Sequence, residues 1–115
     1  MKLVKLKHLR IYKTKEGIIP FEKWINSLSD LAAKQKIDQR LTRLQCGNLG
    51  DCKSVGEGVS ELRINFGPGY RIYFGQDGDS LIILLFGGDK RTQSKDIKTA
   101  INYWNEFKER KKKDV

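Results

Sequence analysis

The residues with most chemical potential lie between positions 59 and 97. Arg63 stands in "SELRINF", Arg71 and Tyr73 in "GYRIYF", and Lys90-Arg91 in "GGDKRT". Side chains along a strand alternate between faces. That period sets Arg63 opposite Leu62 and Ile64, and Arg71 opposite Tyr70, Ile72 and Phe74. The short "GPG" link makes the two strands antiparallel neighbours, so both guanidinium groups approach each other on one sheet face. Lys90 and Arg91 follow the next apolar strand, beside a glycine pair, Gly87-Gly88, that permits close backbone approach. Tyr73 adds a phenol and a stacking surface on the Arg71 face. Cations interleaved with an aromatic ring suit single-stranded nucleic acid, with charges for phosphates and planes for bases. The plainer alternative is that each arginine is a solvated strand residue.

Metal-free cleavage of RNA needs a base for the 2′-OH, cations for the charge that builds on phosphorus, and an acid for the leaving oxygen. Arginine and lysine fill the second role. A histidine pair is excluded, because His8 is the single histidine and falls on an N-terminal strand. The remaining proton-transfer candidates are Lys90, Asp96 and Tyr73. Each is a poor catalyst alone, so a substrate would have to be held in attack geometry by something else. Other chemistries have little support. "GEGVSE" and "GPGYRI" lack the third glycine of a dinucleotide fingerprint and precede strands, and "GGDKRT" lacks P-loop spacing. With one histidine and two isolated cysteines, Cys46 and Cys52, neither a metal site nor a cofactor is expected. The cysteines read as reduced thiols of a cytoplasmic protein.

The elements that must position these residues read as one α+β domain over 1–115, in the order β-α-α-β-β-β-α. Residues 3–12 form a strand and "KTKEG" a turn. Pro20 opens a helix carrying Phe21, Trp24, Ile25 and Leu28 at helical spacing. Ser29 or Asp30 caps a second helix with Ile37, Leu41 and Leu44 inside and Lys34, Lys36, Arg40 and Arg43 outside, ended by Gly47. "GNLGDCKSVGEG" reads as a surface loop. In residues 59–66, Glu61, Arg63 and Asn65 face out. "GPG" turns with Pro68 at its first corner and Gly69 at positive φ, and Asp77-Gly78 signals a hairpin. "SLIILLF" is apolar on both faces and reads as a strand covered on both sides. Ser94 caps a last helix with Asp96 in its first turn and a stripe of Ile97, Ala100, Ile101, Trp104 and Phe107. Its end, "KERKKKDV", reads as a frayed cationic tail.

Lys and Arg number 23 against 14 Asp and Glu, a net charge of +9 with a pI near 9.7. Such a field favours polyanions. The basic outer face of the second helix is another docking candidate. The longest apolar run, Leu81 to Phe86, is strand-sized, so no membrane association is expected. The basic N-terminus lacks the apolar stretch and cleavage site of a signal peptide.

"GNLGDCKSVGEGVSELRINFGPGYRIYF", followed by "LLFGGDKRTQSKDI", resembles the addiction-module killer proteins, the HigB-like branch of the RelE/ParE toxin superfamily. The resemblance covers nearly the whole chain. It implies a small antiparallel sheet with two N-terminal helices packed on it. It implies ribosome-dependent endonucleolytic cleavage of mRNA by 2′-OH attack without a metal. It also implies a cognate helix-turn-helix antitoxin, with operator DNA bound only through the toxin–antitoxin complex. Arg71 matches the arginine that steadies the scissile phosphate. Arg91 falls at the arginine that assists the leaving group, with Lys90 beside it, and Arg63 stands near the basic residues of the preceding strand. Tyr73, Gln93 and Asp96 are the supporting or RNA-binding candidates. One position departs: Ile97 stands where RelE toxins carry a functional tyrosine, which leaves the general base unassigned. Two other readings keep the fold: a ParE-like poison of DNA gyrase that acts by binding, and an inactive module that binds antitoxin.

Overall fold

The computed structural model describes residues 6–113. The chain runs β1 (His8–Ile11), α1 (Pro20–Ser27), α2 (Leu31–Gln45), β2 (Cys52–Gly56), β3 (Val59–Ile64), β4 (Tyr70–Asp77), β5 (Leu81–Asp89), a single 3₁₀ turn (Lys90–Thr92) and α3 (Gln93–Lys113). Local chemistry explains the helix ends. Pro20 occupies the first turn of α1, where its missing N–H is not needed. The Asp30 carboxylate caps α2 by accepting from the backbone N–H of Ala32 at 2.9 Å and Ala33 at 3.2 Å. Gly47, at φ 84°, closes α2 by donating to the Leu44 carbonyl.

The five strands form one sheet in the order β1-β5-β4-β3-β2. β5, β4, β3 and β2 are joined antiparallel, whereas β1 pairs parallel with β5. Helices α1 and α2 cover one face, burying Phe21, Ile37 and Leu44 with Leu62, Ile72, Phe74, Ile82 and Leu84. Helix α3 covers the other, burying Ala100 and Trp104 with Val59, Tyr73, Ile83 and Leu85. β5 therefore supplies both cores, as its two-sided apolar pattern predicts. Among the described residues, no helix is long and apolar enough to cross a membrane.

The α+β class stands, with six local differences from the sequence reading. Part of the glycine-rich segment expected as loop is the edge strand β2; its half-buried Cys52 and exposed Lys53 and Ser54 hide the apolar alternation of a strand. The parallel β1 makes the sheet mixed, not wholly antiparallel. β1 itself is only His8–Ile11, and residues 3–5 of the expected strand lie outside the described residues. The N-terminal cap after β5 is Asp89, which accepts from the Arg91 N–H, and Ser94 lies inside α3. The α3 helix continues through the lysine run to Lys113, with Lys111 paired to Asp77; residues 114 and 115 of the expected tail lie outside the described residues. In the "GPG" turn, Gly69 N–H closes onto Phe66 O at 3.0 Å, so Pro68 takes the second corner, and Gly69 has φ 82°.

A β-bulge sets the end of β5. Tyr73 pairs with Phe86 and Phe74 with Leu84, so Leu85 is the extra residue. Beyond it, the parity of β5 is shifted by one. Gly87 lies under the Trp24 ring of α1 and Gly88 under the Asp96 carboxylate of α3, each position lacking room for a Cβ. Gly75 is similarly covered by the Trp104 ring of α3. Gly75→Ala should therefore force Trp104 off the sheet and lower stability by about 1–3 kcal/mol. The midpoint of urea unfolding checks this; a midpoint equal to wild type would show that Trp104 is not seated there.

Candidate functional site

Arg63 and Arg71 are direct cross-strand partners in the β3–β4 register. Arg71 is in turn opposite Gly88 of β5, and the next β5 position, Asp89, leads into Lys90. The three cations line a cavity of about 340 Å³ together with Asp51, Asn65 and the Gly67-Pro68-Gly69 turn. The turn's two glycines lie at φ 56° and 82°, conformations that disfavour a side chain. A Cβ at Gly69 would stand 3.6 Å from Arg71 Nη1 and 3.5 Å from Lys90 Cβ, so one wall of the basin is bare backbone close to two cations.

Beneath the arginines lies Glu61, two residues before Arg63 on β3. Its side chain is 0% exposed. Glu61 Oε1 stands 3.9 Å from Arg63 Nε and 3.9 Å from Arg71 Nε, while Oε2 accepts from Gln93 Nε2 of α3 at 2.8 Å. Arg71 also donates from Nη1 to the Tyr70 carbonyl at 3.3 Å. Arg63 shares its charge with the exposed Asp51, at 3.4 Å, and its backbone N–H donates to Asp51 O.

Three of the four expected catalytic candidates therefore meet: Arg63, Arg71 and Lys90. Arg91 does not line the basin. It folds back onto Asp89, with Nη2 donating to Oδ2 at 3.0 Å, and its hydrogen bonds hold the Asp89 carboxyl below the usual range. Tyr73 requires a correction. The sheet face that carries it is roofed by α3, and its side chain is fully buried, so the ring presents no surface for a base to stack on. Burial first, and then the Glu61 charge, push its phenol pKa up, away from any proton transfer near neutrality. Glu61, expected to face out, is buried by the same roof. Gln93 acts through Glu61. Asp96 is buried against Gly88 and accepts from Thr92 Oγ1 at 2.5 Å. Ile97 packs at the edge of the α3-side core. His8 pairs with Leu81, at the end of β5 remote from Asp89. Among the described residues, no three His, Cys, Asp or Glu side chains gather as a metal site requires.

Sequence reasoning missed two residues. Glu61 was assigned to solvent by strand parity alone. Arg40 was assigned to the solvated face of α2, yet it reaches across to β3, donating to the Arg63 carbonyl at 2.6 Å and the Leu49 carbonyl at 3.2 Å. Gly50 leaves the space its guanidinium fills. The apolar stripe of α3 was the available signal for Glu61, since such a stripe must cover part of a sheet face.

The arrangement suits an anion: three converging cations, a backbone wall, and one exposed carboxylate at the rim. Residues 23–111 match the family model described as phage derived protein Gp49-like (DUF891), a span that includes the whole basin. The chain belongs to this Gp49-like family. An uncharacterized protein of Haemophilus influenzae is 54% identical over 82 residues, which cover 71% of this chain and 83% of that protein.

In this Gp49-like chain, burial raises the Asp96 carboxyl pKa, opposed only in part by the Thr92 hydrogen bond. The folded protein thus holds this proton more tightly than the unfolded chain. Asp96 contributes its full stability below the unfolded aspartate value of about 3.9, and the contribution is lost as pH rises through the raised folded value. Asp96→Asn should therefore gain in urea midpoint relative to wild type as pH rises above the unfolded aspartate value of about 3.9. A difference that stays flat with pH would contradict the assignment.

Proposed function

We propose that the protein is the toxin of a type II toxin–antitoxin pair and cleaves mRNA on the translating ribosome. The observation that carries this reading is the registered Arg63–Arg71 pair, joined by Lys90 around one anion-sized cavity on a chain of net charge +9. Membership of a phage-derived family and the resemblance to addiction-module killer proteins support it. In the proposed reaction, the RNA 2′-OH attacks the adjacent phosphorus and the 5′-oxygen leaves. Arg71 steadies the charge that builds on the phosphate, with Arg63 and Lys90 flanking it. The basin holds no imidazole and its carboxylate, Asp51, is tied to Arg63, so proton transfer is weakly provided. Positioning by the ribosome supplies the in-line geometry instead. A cognate helix-turn-helix antitoxin would neutralise the protein, and operator DNA would be bound only through that complex.

One observation favours a second reading. The burial of Tyr73 and Asp96 removes two of the three proton-transfer candidates. A ParE-like poison that acts on DNA gyrase by binding needs none.

Primer extension on cellular mRNA after brief induction separates the two. Wild type should produce new cuts that keep the reading frame. Arg71→Ala should reduce cutting about 100-fold or more and relieve growth arrest, with antitoxin binding intact. DNA breaks with whole mRNA would overturn the nuclease reading.

A further inference from the structure

We infer that Glu61 is the positioning residue of the basin, a buried carboxylate that fixes the inner edges of Arg63 and Arg71 and is itself held by Gln93. The inference rests on reading the basin as a phosphate site. Two like charges directly opposite each other on adjacent strands repel. Here a single carboxylate stands under both, at 3.9 Å from each Nε. Both Nε atoms are buried and, like Glu61 Oε1, have no hydrogen-bond partner among the described residues, so Glu61 acts on them through its charge at ion-pair distance, while the arginines line the cavity. A guanidinium is planar and presents its donors in a fixed fork. Holding the Nε edge downward by charge turns the Nη edge toward the cavity; in Arg71 one Nη1 hydrogen goes to the Tyr70 carbonyl, and the remaining Nη donors face an anion. Arg63 has a second anion, Asp51, but among the described residues Arg71 pairs with Glu61 alone. The dependence on Glu61 is therefore greater for Arg71, the residue assigned to the scissile phosphate.

Gln93 completes the device. Its amide donates to Glu61 Oε2 from the first residue of α3. That bond keeps the carboxylate from swinging toward Arg63 and Asp51. Glu61 touches no substrate in this arrangement; it acts through Arg71.

Glu61→Gln keeps the shape and removes the charge. The ribosome-dependent cleavage rate should fall about 10- to 100-fold, as expected when a reacting group is misplaced by about 1 Å. Binding of an uncleavable 2′-O-methyl single-stranded RNA should hold or tighten, because the cations remain and one negative charge is gone. A merely structural role would lower both together. Gln93→Leu, which leaves the buried charge in place, should reproduce the rate loss in weaker form if Glu61→Gln folds poorly. An RNA-free readout keeps this inference separate from the nuclease reading. The Arg71 Nε–H resonance should be resolved and protected from exchange in the wild type, and merge with those of exposed arginines in a folded Glu61→Gln. If wild type cuts no RNA, the nuclease reading fails while this resonance still decides the positioning role. An Arg71 Nε–H equally protected in both proteins, or a folded Glu61→Gln that cleaves at the wild-type rate, would overturn it.

Discussion

Two arginines face each other across the β3–β4 ladder, and the space beneath them is closed by α3. A buried pair of like charges is not stable by itself, and screening by water is weak where the Nε atoms lie. Glu61 supplies the compensating charge, and Gln93 satisfies the second oxygen of that carboxylate. A carboxylate at 0% exposure is in turn viable only with cations and a donor around it. Each part of the cluster makes the others tolerable. The surplus positive charge is left at the top, where Lys90 and the open cavity are.

The scaffold around this cluster follows from the bulge at Leu85. The shift in β5 parity sets Gly88 beneath Asp96 and Gly87 beneath Trp24. The close approach at this glycine pair is made by the protein's own side chains. It draws the start of α3 onto the sheet beside Arg71, within reach of Glu61. On the far side of β3, Arg40 bridges from α2 to the Arg63 and Leu49 carbonyls. The basin is thus braced by helices from both faces of the sheet, although the residues that line it belong to strands and turns.

Much of this was legible in the sequence. Strand parity and the "GPG" turn placed Arg63 against Arg71, and the two-sided apolar pattern of β5 predicted two cores. What parity does not tell is whether a face is covered. Glu61 and Tyr73 share the Arg71 face, and only the packing of Trp104 and Ala100 on it determines that they are buried. Arg91 carries the same charge as Lys90, but the 3₁₀ turn that follows β5 returns it to Asp89. β2 escaped notice because its five residues gain their strand conformation from pairing with β3, not from an apolar pattern. The parallel placement of β1 depends on contacts remote in sequence, with β5 more than 65 positions away.

In the proposed reading the anion site lies over Arg63 and Arg71, and not on the chain's other cationic surfaces. A titration of the isotope-labelled protein with 2′-O-methyl single-stranded RNA, followed by amide and guanidinium resonances, tests it most directly. The largest shifts should fall at Arg63, Gly67, Gly69, Arg71 and Lys90. Shifts concentrated on Lys34, Lys36 and Arg43 of α2, or on the lysine run of α3, with the basin unchanged, would contradict it.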